Sequence, residues 1–131
     1  VESDSAQHPD SPALLWLSII VHGVTWVLGM VVVAWCARRF KAIASDFGIE
    51  VTPLVLVLLS FADWAVQYWP ILLSLALIVP GVMDLMAFVT LQSPAARVIW
   101  MVAAWLLPVG LTVGAVVTLQ SALEALRAEL L

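Results

Sequence analysis

His22 and Asp84 are the residues of this chain best placed to do chemistry. Each sits inside a long apolar run. Ionisable groups in such runs are costly to bury and often mark proton paths, ion paths or cofactor ligands. His22 comes about ten residues into the first run, with Ser18 one helical turn before it and Trp26 one turn after. An imidazole in that setting can ligate a haem iron or the magnesium of a chlorophyll-type pigment, and Ser18 and Gly23 are small enough to let a macrocycle approach. A bis-histidine haem needs a second ligand, and His8, in a polar stretch near the start, is badly placed to supply it. The alternative is a neutral imidazole bonded to a neighbouring helix or to a carbonyl. Asp84 is the only carboxylate well inside a spanning segment. A proton path needs polar groups in series, and only Ser74 and Thr90 accompany Asp84. A structural hydrogen bond is the simpler reading.

Gly110 and Gly114 form a GxxxG, extended by Thr118 one turn later. Small residues at that spacing let two helix backbones approach closely. The partner helix can belong to this chain or to another subunit. Beyond these residues no Ser/His/Asp set, metal-ligand spacing, phosphate-binding glycine loop or carboxylate pair stands out. Two His and one Cys leave little material for catalysis, so the chain is expected not to be an enzyme. Cys36, being alone, can form no intrachain disulfide.

The elements that must position these residues follow from composition. The 131 residues are 64% apolar and 11% charged, with a mean hydropathy of +1.12. A soluble domain is roughly half apolar and about a quarter charged, and a chain this short cannot hide so much apolar surface in one aqueous core. Lipid is its natural solvent. The net charge of −4 comes mostly from the ends, and the absence of a basic patch argues against nucleic-acid binding. No soluble substrate is suggested either.

Three pairs punctuate the sequence: Ser11-Pro12, Thr52-Pro53 and Ser93-Pro94. A hydroxyl residue followed by proline is a helix-start signal. The hydroxyl can accept a bond from a first-turn N–H, and proline lacks the N–H that the first turn would leave unpaired. Residues 1–11 read as a polar, acidic tail and 12–131 as one membrane domain. The first span is expected over about 12–35, with Trp16 and Trp35 near its boundaries. It has neither a basic flank before it nor a cleavage-site pattern after it, so it reads as a retained helix and not as a signal peptide. Residues 36–51 form the one substantial polar connection. Its Asp46-Phe47-Gly48 matches a kinase metal-binding triplet, but no other kinase element accompanies it, and a turn is the reasonable reading.

The apolar stretch from Pro53 to Leu91 is too long for one span. Ser60, Asp63 and Gln67 share a face of its first part, with Trp64, Tyr68 and Trp69 beside them and Pro70 following. This predicts an amphipathic helix lying in the membrane interface over about 53–68, with Asp63 facing water. A second span then covers about 69–91, and Pro80-Gly81 should bend it. The third span is expected over about 94–119 and continues as a short surface helix on which Leu123, Leu126 and Leu130 share a face. Trp64 and Trp69 read as further interface anchors, and Trp26, Trp100 and Trp105 as packing residues. The fold class is therefore an all-α integral membrane protein with three transmembrane helices, an interfacial helix and a short C-terminal surface helix. Arg38, Arg39, Lys41 and Arg127 fall on one side and Arg97 on the other. The positive-inside rule then places the N-terminus outside and the C-terminus in the cytoplasm, most simply at a bacterial inner membrane.

One part of the sequence resembles a known family. Arg39-Phe40-Lys41, Asp46-Phe47-Gly48-Ile49-Glu50, Thr52-Pro53-Leu54, Leu59-Ser60-Phe61-Ala62-Asp63-Trp64 and Tyr68-Trp69-Pro70 occur in order. Together, over about residues 31–79, they resemble the F-type inner-membrane platform proteins of type II secretion and type IV pili. The resemblance implies an amphipathic helix over 53–68, a Tyr-Trp-led span after it, and a scaffolding role. The family's paired cytoplasmic helical bundles have no counterpart among these residues. The family also places the equivalent connection outside the cytoplasm, opposite to the Lys/Arg count here. The leading expectation is a small, non-catalytic accessory subunit of a larger membrane complex, such as a photosynthetic or respiratory assembly, contacting membrane lipid and other integral subunits. A platform-like scaffold, or a haem- or pigment-binding protein through His22, are the alternatives.

Overall fold

The computed structural model describes residues 12–48 and 50–130. Four helices follow one another: α1 (Pro12–Phe47), α2 (Pro53–Gln67), α3 (Trp69–Thr90) and α4 (Pro94–Leu130). There is no strand among the described residues. Three of the helices, α1, α3 and α4, are long and apolar enough to cross a membrane. This is the mark of an integral membrane protein. The tail over 1–11, with His8, lies outside the described residues.

Pro12, Pro53 and Pro94 each open a helix, where the hydroxyl–proline pairs put them. The Thr52 hydroxyl, however, makes no capping bond. Its carbonyl accepts the Leu56 N–H at 3.0 Å, and the Ser93 carbonyl accepts the Arg97 N–H at 3.2 Å. The proline, with its fixed φ and missing donor, is enough to set the start. Between α2 and α3 a single residue, Tyr68, leaves helical geometry (φ −113°, ψ 28°). Its N–H donates to Trp64 O and its carbonyl accepts from Ile71 and Leu72. The two helices thus meet at a joint with no intervening loop.

Two regions differ from expectation, one in its boundary and one in its packing. The polar connection over 36–51 is mostly helix, because α1 runs unbroken to Phe47. No Pro or Gly interrupts residues 36–47, and Ala37, Phe40 and Ala44 recur at helical spacing and are all buried. Gly48, at φ +62°, ends the helix in the left-handed conformation that glycine adopts at little steric cost. The turn at Asp46-Phe47-Gly48 therefore occupies only its last residue. At the other end the helix continues past the third span, as expected, but its apolar face packs inside the chain. α4 continues to Leu130, and Leu119 is buried while Leu123 and Leu126 pack against the cluster of Phe40, Ala44, Val55 and Leu59. Leu130's side chain lies outside the description.

α1 is the central rod, and each other helix packs mainly on it. α2 returns along the last third of α1, where Val55, Leu59 and Ala62 meet Ala37, Phe40 and Ala44. Lys41 Nζ donates to Asp63 Oδ2 at 2.6 Å, with both side chains 55% exposed. α3 continues down the rest of α1. Close approach depends on two glycines of α1. A Cβ on Gly23 would stand 2.9 Å from Leu77 Cδ2 of α3, and one on Gly29 would collide with Thr112 Oγ1 of α4. With 36 residues, α1 is about 54 Å long at 1.5 Å per residue, against roughly 30 Å of hydrocarbon. The excess lies at the end carrying Arg38, Arg39 and Lys41. α3 passes through Pro80, and α4 through Pro108, without losing helical assignment.

Candidate functional site

The site forms where α1, α3 and α4 meet. Ser18 and His22, four residues apart, lie on one face of α1 and point toward α3. Asp84, from the far half of α3, comes opposite both. Trp100 and Met101 reach the same point from the second turn of α4. Ser18, His22 and Asp84 are 1%, 3% and 1% exposed, and their bonding is complete. His22 Nδ1 and Asp84 Oδ2 lie 2.6 Å apart, and Ser18 Oγ donates to the same oxygen at 2.9 Å. Trp100 Nε1–H donates to Asp84 Oδ1 at 3.2 Å. His22 Nε2 lies 3.1 Å from the Met101 carbonyl.

Donor accounting fixes the histidine's state. A carbonyl only accepts, so Nε2 must carry hydrogen. One further proton is shared between Nδ1 and Oδ2. Whichever atom holds it, the pair has no net charge, which suits a site walled by apolar helices. The same accounting bears on cofactors. A haem iron or a pigment magnesium needs an imidazole lone pair, and both ring nitrogens of His22 are engaged, one on Asp84 and one on Met101. The residues present do not fit such a ligand role.

No Ser/His/Asp set stands out in the sequence, yet Ser18, His22 and Asp84 do come together. Their order differs from a hydrolytic triad. A nucleophilic serine must donate to the imidazole nitrogen that the carboxylate does not hold. Here Ser18 donates to the carboxylate, and the other nitrogen faces Met101. What the arrangement does is tie three spans together at one point. His22 and Asp84 satisfy one another inside the chain, and no buried side-chain polar atom among the described residues lacks a partner.

Gly110 and Gly114 stand apart from this centre. Neither has any atom of another helix within 4 Å of the position a Cβ would occupy, and Thr118 Oγ1 only bonds back to Gly114 O at 2.8 Å. The helix-packing role inside the chain belongs to Gly23 and Gly29, which carry no motif. Of the tryptophans, Trp16, Trp35, Trp64 and Trp69 are exposed. Arg39 lies over the Trp35 ring at 4.9 Å. Trp26 and Trp100 face inward and line a cavity of about 550 Å³ between α3 and α4. Sequence reading missed this cavity. Its only available signal was the spacing of Trp26 one turn after His22.

Compared with protein-family models, with curated proteins and with solved structures, the chain matches none.

Proposed function

We propose that the chain is a non-catalytic subunit of a larger integral membrane complex, held there by the outer face of α4. The observation that supports this reading is the free GxxxG. Gly110, Gly114 and Thr118 form a small-residue seam on a spanning helix, and no other helix comes within 4 Å of a Cβ placed at either glycine. Between helices in lipid, where no hydrophobic effect drives association, such seams allow the close backbone contact that does. A satisfied polar centre and an unused seam suit a part that is stable in itself and completed by a neighbour. Respiratory and photosynthetic assemblies are the kind of complex meant, with a bacterial inner membrane as the setting. In this reading the N-terminus is outside and the C-terminus in the cytoplasm. α2 stands at the level of Arg38, Arg39 and Lys41 beside the membrane boundary, where Trp64 and its polar stripe of Ser60, Asp63 and Gln67 meet head groups.

A platform-like scaffold for a secretion or pilus machine is the second reading. The joint at Tyr68 favours it, since α2 gives way there to a span led by Trp69-Pro70, the pattern its resemblance implies. Purification from native membranes in mild detergent tests both readings through the proteins that come with the chain. Replacing Gly110 and Gly114 together by Leu should release the chain from those proteins while its own helices stay folded. A wild-type chain that purifies alone, folded and with a turnover abolished by His22→Ala, would refute the subunit reading.

A further inference from the structure

The cavity between α3 and α4 is separate from the α4 seam and carries its own argument. The two helices are joined by the short turn over 91–93 and touch where Trp100 meets Asp84. Beyond that point they part, each resting on α1. The space between them is walled by Ala76 and Val79 of α3 and by Ala104 and Leu107 of α4, with Trp26 of α1 at the back. Its volume of about 550 Å³ falls within the range of roughly 300–1,000 Å³ typical of small-molecule sites.

Four hydrogen-bonding side chains line this space: His22, Trp26, Asp84 and Trp100. Three of them are engaged. Asp84 is bonded by Ser18, His22 and Trp100, and the second ring nitrogen of His22 meets the Met101 carbonyl. The Trp26 indole N–H, in contrast, makes no hydrogen bond with any described residue. Trp26 is half-buried, yet no enclosed side-chain polar atom among the described residues lacks a partner. Its N–H is therefore not sealed in by protein but open to the space that the ring borders.

Depth decides what can reach that N–H. Trp26 lies ten residues after Trp16 and nine before Trp35, two exposed tryptophans suited to the two membrane boundaries. At 1.5 Å per residue it stands about 14–15 Å from each, near the middle of roughly 30 Å of hydrocarbon. Water is scarce there, the ester carbonyls of a phospholipid stay with its head group, and an acyl chain accepts no hydrogen bond. A donor left without a partner in that medium is costly. A molecule that carries an acceptor to that depth removes the cost.

We infer that this cavity binds a neutral, lipid-soluble carbonyl compound without a head group, of the long-chain ketone or quinone kind. Its oxygen accepts the Trp26 Nε1–H, and its apolar body lies along the α3 and α4 walls.

The test uses the full chain, labelled with nitrogen-15, in micelles of a detergent that has no carbonyl group. The seven tryptophans give seven indole N–H resonances, and the one missing in Trp26→Phe belongs to Trp26. Adding 8-hexadecanone should move that resonance downfield until it saturates, while hexadecane leaves it in place. Hexadecane should displace the ketone only at about fivefold higher mole fraction, the worth of one neutral hydrogen bond. Ala104→Phe, which fills the space from within, should abolish the shift while the Trp26 resonance and the helical circular dichroism persist. Ala103→Trp, at an exposed position on the cavity wall, should do the same. A Trp26 resonance that ignores the ketone would overturn the proposal, and so would a shift that survives both variants. Equal shifts at the exposed Trp16 and Trp105 would mean simple partition of ketone into the micelle and would also overturn it. If a diacyl phosphatidylcholine moved the Trp26 resonance as far as the ketone does, ordinary membrane lipid would be the occupant and the inference would be wrong.

Discussion

The Asp84 centre should behave as a three-way tie, and its removal should cost more than any one of its bonds. Asp84→Ala strips partners from Ser18, His22 and Trp100 at once. Ser18 loses least, because a serine in a helix can bond back to the carbonyl four residues earlier. Trp100 is half-buried and can turn toward the cavity. His22 is 3% exposed and loses the partner of Nδ1 outright. Interhelical hydrogen bonds in membranes average about 0.6 kcal/mol and reach about 1.7, while a buried polar group left unpaired costs about 1–3 kcal/mol. The expected loss is therefore about 2–4 kcal/mol, most of it from His22. Changing His22 as well should recover part of it, since His22→Leu with Asp84→Leu leaves no unpaired member of the pair. The double variant should be less destabilised than the two single losses added, by about 1 kcal/mol or more. Reversible unfolding in mixed detergent micelles, followed by circular dichroism, measures all five species: wild type, Asp84→Ala, the two single Leu variants and the double variant. An Asp84→Ala variant within about 0.5 kcal/mol of wild type, the range of an ordinary surface change, would refute the tie. Strict additivity of the two substitutions would refute the pairing.

The glycines should separate by position. Gly29→Val drives side-chain atoms into Thr112 and should destabilise the chain by about 1–3 kcal/mol, while Gly110→Leu should leave the isolated chain as stable as wild type or more so, by up to about 1 kcal/mol of helix propensity; the same unfolding assay compares them. Lys41→Ala should cost less than about 1 kcal/mol, because the Lys41–Asp63 pair is more than half exposed. For topology, single cysteines at positions 5 and 128, in a chain with Cys36 replaced, should be labelled by an impermeant reagent from outside and from the cytoplasm respectively. Labelling of position 128 from outside would reverse the orientation.

Much of the fold was legible because it is written in local signals. Three prolines mark three helix starts, and apolar runs of membrane length follow two of them directly. The boundaries that went astray did so where tertiary packing overrides polarity. Arg38, Arg39 and Lys41 read as a connection, yet they ride on the outer face of a helix whose inner face, Ala37, Phe40 and Ala44, is filled by α2 and α4. Three alternating small and large apolar residues are a weak signal beside three cations. Leu123 and Leu126 do pack on one cluster, but nothing in the spacing of the C-terminal leucines says that their face has a partner within the chain.

The polar centre shows why pairing is harder to read than placement. His22 and Asp84 were each recognisable as costly residues in apolar runs, and each was given a solitary explanation. They are 62 positions apart, and only the antiparallel course of α1 and α3 makes them neighbours. A usable rule was present all the same. In a chain with one histidine and one carboxylate deep in its spans, each is the cheapest partner for the other, because pairing cancels their charge and fills both hydrogen-bonding needs at once. The glycines teach the converse. A motif advertises a capacity for close approach, but whether a helix uses it depends on which face the rest of the bundle leaves free. Gly23 and Gly29 are used because α1 is the central rod and must admit neighbours on several sides. Gly110 and Gly114 remain open because α4 already spends its inward face on α1. The polar centre thus accounts for the chain's own cohesion, and the open α4 seam is the feature from which association with a neighbour has to be argued.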